Sequence, residues 1–337
     1  MVRCFFLALF GGLAAGPALA EWVARPLETP ARVSEIRQVD ETVYGWAEGH
    51  WFRFSLCDDQ PLCLTPGEPP QRQTAPDGIP GGSIAYADGD GITSAWYAEP
   101  TDRYPHGALG DEVEAAALVV QDVYGHRVTV RLAADEVFED LTPRIADFDS
   151  DGRNEVLAIR SSLRSGAALV AYDLAGSSLI EIDSAPPIGQ PNRWLNVAGI
   201  ADFTGDRSLD IAAVRTPHIG GTLEFVTLDR RRFRAIDSER GFSNHLFGST
   251  ETGMSAVARI NGDNIVDLAV PDSERRVLRM MTVAGGSLRE IAHVPLDGAV
   301  VTAIGVLNAF DKPTFVLGLE DGRLLAISDV PPPKKRR

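Results

Sequence analysis

The run Ile145-Ala146-Asp147-Phe148-Asp149-Ser150-Asp151-Gly152-Arg153-Asn154-Glu155-Val156-Leu157 puts carboxylates at positions 1, 3, 5 and 9 of a tight loop, with glycine at position 6. An apolar, strand-like stretch follows at once. The pattern returns as Ile200-Ala201-Asp202-Phe203-Thr204-Gly205-Asp206-Arg207-Ser208-Leu209-Asp210-Ile211-Ala212, 55 residues on. A third copy, a further 57 residues along, reads Val257-Ala258-Arg259-Ile260-Asn261-Gly262-Asp263-Asn264-Ile265-Val266-Asp267-Leu268-Ala269. After each copy come a turn and two more strand-length runs, which is the content of one four-stranded unit with its connections.

Working outward from these copies, short apolar or alternating runs recur throughout, among them residues 155–159, 167–172, 179–182, 209–214, 223–228 and 233–236. Clusters of Gly, Pro, Asp, Asn and Ser separate them, and no helix-length periodicity interrupts them. Weaker units run from Ser83 to Leu132, through Asp88-Gly89-Asp90-Gly91, and from Val300 to Ser328, through the hairpin turn Asp321-Gly322. The spacing predicts an all-β chain, a β-propeller of about six or seven four-stranded blades in all, with residues 83–330 forming propeller blades and five units visible between about 83 and 329. Residues 21–82 are expected to add one or two blades, or a strand that completes the last one.

Composition agrees with an ordinary globular chain: 44% hydrophobic and 23% charged residues, with 32 Gly and 22 Pro. A net charge of −15 argues against a nucleic-acid partner, whose phosphates call for a basic surface. Residues 1–20 read as a secretory signal: a basic start at Arg3, an apolar run from Cys4 to Ala15, and Pro17-Ala18-Leu19-Ala20 as a cleavage site. No later stretch reaches the roughly 18 apolar residues of a membrane span. The expectation is an exported protein, periplasmic or secreted. In that compartment Cys57 and Cys63 are expected to form a disulfide closing a short loop. The basic end, residues 331–337, is expected to be a disordered tail.

The loops carry the chemistry. Calcium takes six to eight oxygens at about 2.3–2.6 Å, and alternate carboxylates on a curling loop converge to supply them. Asp147, Asp149, Asp151, the carbonyl of Arg153 and Glu155 make the first candidate site. An EF-hand does not fit, because its twelfth position here is Ala158, inside a strand-like run. The second loop offers Asp202, Thr204, Asp206 and Asp210, with Arg207 in place of the glycine. The third carries Arg259 where the first carboxylate should stand and is expected to hold no metal, the guanidinium pairing with Asp263 or Asp267 instead.

These loops resemble those of the FG-GAP or VCBS repeat propellers, the family that includes the integrin α-subunit head. Phe247-Gly248, Gly253-Met254-Ser255 and Asp267-Leu268-Ala269-Val270-Pro271 around the third copy are similar to its pattern too. The resemblance is good over residues 140–275 and loose over 83–330. It implies a propeller whose calcium loops brace the first two strands of a blade, and it implies no single activity.

In an up-and-down blade the turns alternate between the two ends of the ring, so a second set of loops lies opposite the acidic ones. They carry His106, Arg164, Arg193, Trp194, His218 and His245. Guanidinium forks bind anions and aromatic faces stack on rings, which fits a pocket for a carboxylate, sugar or peptide. The alternative is that these side chains only pack between blades. A metal site at the three histidines lacks any fixed ligand spacing. No catalytic motif is present: there is no G-x-S-x-G, H-E-x-x-H or phosphate-binding glycine loop. The reading is a non-enzymatic module for an unknown protein or glycan. The competing reading is a polysaccharide lyase or hydrolase, with His106 or His218 as base and Arg164 or Arg193 neutralising the substrate's carboxylate.

Overall fold

The computed structural model describes residues 21–29, 32–57 and 62–330. The signal and basic-tail readings fall on residues outside these. Blade 1 is the antiparallel sheet Glu35–Val39, Thr42–Ala47, His50–Ser55 and Cys63–Pro66. Blade 2 comprises Ala85–Tyr86, Asp90–Thr101, Glu114–Asp122 and Arg127–Arg131, and blade 3 Arg144–Ala146, Arg153–Ser162, Gly166–Ala175 and Ser178–Ser184. Blade 4 is Leu195–Ala201, Asp210–Arg215, Thr222–Asp229 and Arg232–Arg240, and blade 5 Ala256–Ala258, Asp267–Pro271, Val277–Thr282 and Arg289–Pro295. Blade 6 takes Gly305–Leu307, Thr314–Gly318 and Leu324–Val330 from the end of the chain. Its fourth strand is Glu21–Leu27, paired antiparallel with Leu324–Val330. The N-terminal segment thus supplies both a whole blade and the closing strand of a six-bladed β-propeller.

Burial across a blade explains the sequence pattern. In blade 3 the second and third strands are almost wholly buried, while the fourth is half exposed. In blade 4 the fourth strand is polar and largely solvent-facing. Middle strands are covered on both faces by neighbouring blades and read as apolar runs; outer strands keep one wet face and alternate. Large buried side chains fill the junctions. Phe148, Leu157, Leu169, Trp194, Ile211 and Leu228 lock blade 3 to blade 4. Phe203, Phe225, Phe242, Leu268 and Met281 lock blade 4 to blade 5. The strand Glu136–Phe138 stitches blade 2 to blade 3, pairing with Ala115 on one side and Arg160–Ser162 on the other.

Cys57 and Cys63 sit at the end of the third and the start of the fourth strand of blade 1, at bonding distance, with Cα atoms 5.8 Å apart. Among the described residues no helix is long and apolar enough to cross a membrane.

Candidate functional site

The three repeated loops each join the first and second strands of a blade, and they share one backbone path. Positions 4 and 6 are left-handed in all three: Ser150 and Gly152 at φ 60° and 90°, Gly205 and Arg207 at 81° and 75°, Gly262 and Asn264 at 78° and 70°. Glycine adopts this region freely, whereas Arg207 holds it at a cost of about 1 kcal/mol. The ninth-position carboxylate reaches back to accept the amide of position 2. Phe148 donates to Glu155 Oε2 at 2.8 Å, Phe203 to Asp210 Oδ2 at 3.1 Å, and Ile260 to Asp267 Oδ2 at 3.0 Å. Asp147 and Asp202 in turn accept the amides at positions 5 and 6 of their own loops.

What separates the loops is charge. In the first, carboxylate oxygens of Asp147, Asp149 and Asp151 lie within 4.8 Å of one another. That is the spacing oxygens have when they share one calcium ion. Asp149 Oδ1 and Glu155 Oε1 are buried and have no hydrogen-bond partner. Burial, reinforced by Asp149, Asp151 and Asp173, pushes the Glu155 carboxyl up to about 8. Burial and the neighbouring Asp151 and Asp147 also raise Asp149. A cation would relieve all of these at once. The residues present therefore fit a divalent ion.

The second loop draws its carboxylates inward. Asp202 caps three amides, Asp206 Oδ1 accepts from Ser208, and Asp210 accepts from both Phe203 and Thr204. Among the described residues it forms no convergent carboxylate group of the kind seen at Asp147, Asp149 and Asp151. In the third loop, the expected pairing of Arg259 with Asp263 or Asp267 is absent. Its guanidinium lies over the ring of Phe310, 5.6 Å from the centroid. The side-chain amide of Asn261 binds Asp263 instead, donating from Nδ2 to Oδ2 at 2.9 Å. A short side chain within the loop reaches Asp263 more directly than a long one leaving its edge.

On the opposite face the structure brings the three histidines together. His245 donates from Nε2 to the carbonyl of Ser249 (2.9 Å), so its Nδ1 accepts from His218 Nε2 at 2.8 Å. Trp194 stacks on His218 and meets His245 edge-on, with centroids 6.0 and 4.7 Å away. Phe247 bridges His218 and His106, at 5.2 and 5.9 Å. His106 donates from Nδ1 to Glu139 Oε1, a buried carboxylate that also accepts from Ser161 Oγ. Trp194 Nε1 donates to the Glu139 carbonyl at 2.8 Å. The loop carrying His106 is tied across the ring by the amide of Gly248, which donates to the Ala108 carbonyl at 2.9 Å.

Burial lowers the His218 imidazole to about 3, helped by His245, His106 and Arg275, and lowers His245 to about 4. Both rings are neutral near pH 7. Arg164 and Arg193 stand apart from this cluster. Arg164 pairs with Asp135 at 2.7 Å with its side chain 81% exposed, and Arg193 donates to the carbonyl of its neighbour Asn192. The face also exposes Leu163, Ile219, Leu246 and Phe247. Glu139 and Asp173 escaped the sequence reading because each adjoins an apolar strand run and looks like a strand-end polar residue. Setting the repeats side by side would have singled out Asp173.

The molecule is thus a β-propeller with a strongly acidic loop of converging carboxylates on one face and an aromatic–histidine cluster on the other. No protein-family model matches the chain, and no curated protein does. Among solved structures it is similar to the WD40 domain of coronin from Toxoplasma gondii, at 11% sequence identity and a TM-score of 0.48, over 95% of this chain and 89% of that one. At that level the likeness bears on no ligand, and the propeller rests on the sheets themselves.

Proposed function

We propose that the chain is an exported, non-enzymatic β-propeller of the FG-GAP/VCBS kind, braced by calcium in its first loop and presenting the opposite face to a protein or glycan. The observation that carries the calcium reading is the pair of buried, partnerless oxygens, Asp149 Oδ1 and Glu155 Oε1, beside the converging Asp147, Asp149 and Asp151. Such groups are costly unless a cation meets them. The ion would tie the loop between the first two strands of blade 3 and neutralise the densest charge in the ring. The binding reading is supported by the apolar side chains left open at Leu163, Ile219, Leu246 and Phe247, on a frame stiffened by the histidine cluster beneath.

Thermal melts with calcium and with a chelator test this. At free calcium about 100-fold above the dissociation constant, stability should rise by roughly 2.7 kcal/mol. Asp149→Ala should remove most of that gain and Asp263→Ala should leave it intact. Equal melting temperatures in calcium and chelator, with no metal found by elemental analysis, would refute the reading.

A further inference from the structure

Asp173 lies on the third strand of blade 3. Val156 pairs with Tyr172 in antiparallel register, so the next pair outward sets Glu155 beside Asp173. The same place is taken by Thr227, opposite Asp210, in blade 4. In blade 5, where Leu268 pairs with Met281, it is taken by Thr282, beside Asp267. Of the three repeats, only the first adds a carboxylate from the strand behind the loop.

A second difference coincides with the first. In blades 4 and 5 the hairpin between the third and fourth strands reaches back over the loop of the blade before it. In blade 5 that turn brings only backbone: the amide of Gly285 donates to the Thr204 carbonyl at 3.3 Å. In blade 4 it brings Arg231, held left-handed at φ 62°. Arg231 Nη1 lies 2.9 Å from Asp173 Oδ2 and 3.6 Å from Asp149 Oδ2. The Asp149 side chain is 5% exposed and that of Arg231 40%. The guanidinium therefore approaches from solvent and covers the acids from outside. It takes one oxygen of each aspartate, while Oδ1 of both, with Glu155 Oε1, stays buried without a hydrogen-bond partner. The extra negative charge and the extra positive charge occur at the same loop.

We propose that Asp173 and Arg231 make the first loop a guarded cation site: Arg231 is the resident counter-charge of Asp149 and Asp173 in the metal-free protein, and calcium binds by taking Asp149 from it. This rests on the calcium reading above. The guanidinium keeps the loop folded before the ion arrives and, remaining nearby as a like charge, weakens the ion's hold. Metal entry at blade 3 is then felt at the hairpin of blade 4, the element that Arg231 leaves.

Calorimetric calcium titration of the full chain tests this on the wild type, Arg231→Gln and Arg231→Lys, alongside melts of each in chelator. Arg231→Gln should bind calcium about tenfold more tightly, as expected for removing one positive charge near a divalent ion, and should melt lower without metal. Arg231→Lys, which keeps the charge on an exposed hairpin and so preserves folding, should stay within about twofold of wild-type affinity. Unchanged or weaker binding by Arg231→Gln would overturn the guard while leaving the calcium reading standing. Binding by Arg231→Gln alone would support the guard and refute resident calcium in the wild type. No binding by any of the three would overturn both.

Discussion

The His218–His245 pair makes the protein sensitive to acid in a way that can be separated from its many carboxylates. Both imidazoles are held below the ordinary value of about 6.5, at about 3 and about 4, chiefly by burial. The unfolded chain therefore binds protons at these sites between roughly pH 6.5 and 4, and the folded chain does not. Stability falls as pH drops through that window. Going from pH 7 to 5, each group costs about 2 kcal/mol by proton linkage, and about 3 kcal/mol together once the partial exposure of His218 is allowed for. For a chain of this size that is a fall of roughly 4–5 °C in melting temperature. His218→Phe keeps an aromatic face against Trp194, and His245→Gln keeps a donor for the Ser249 carbonyl. Melts of the wild type and the double variant, followed by circular dichroism at pH 7 and 5, should differ in their acid-induced drop by about that amount. Equal drops would refute the claim that the His218–His245 pair stays unprotonated in the folded state.

Two further expectations complete those set out with calcium and Arg231. Burial, with Glu139 and Asp111 nearby, pushes Glu114 up to about 9, so the folded chain keeps a proton that the unfolded chain releases above about pH 4.5. Wild-type stability should fall through this site as pH rises, and Glu114→Gln should be more stable than wild type by several kcal/mol at pH 8 but equally stable at pH 4; a gap independent of pH would count against it. Arg207→Gly relieves a left-handed arginine at φ 75° and should raise stability by about 0.5–1 kcal/mol in denaturant titration, with a lower midpoint as the contrary result.

The propeller was legible because its signal is local and repeated. Each acidic loop carries its own turn residues, its position-9 cap and the apolar strand after it within a dozen residues, and it recurs at blade spacing. The blade number was legible only to within one. Residues 21–66 contain strand-like runs but no repeat loop, and nothing local says that Glu21–Leu27 belongs with Leu324–Val330, some 300 residues away. Alternation of turns between the two ends of the ring was enough to place the histidines on one face. It could not say that His218 would bond His245, or that Phe247 would bridge His218 and His106.

The amino-acid sequence by itself determined the repeating four-stranded unit, the all-β character and the loop at Asp147–Glu155 as the most acidic of the three, since each follows from neighbours along the chain. Tertiary structure alone decided which buried charges meet. Asp149 faces Arg231 rather than water, Arg259 lies on Phe310 rather than on an aspartate, and Glu139 holds His106 from the next connection. Those pairings depend on how blades pack edge to edge around a closed ring. The ring sets distances between residues tens to hundreds of positions apart, which no local pattern records.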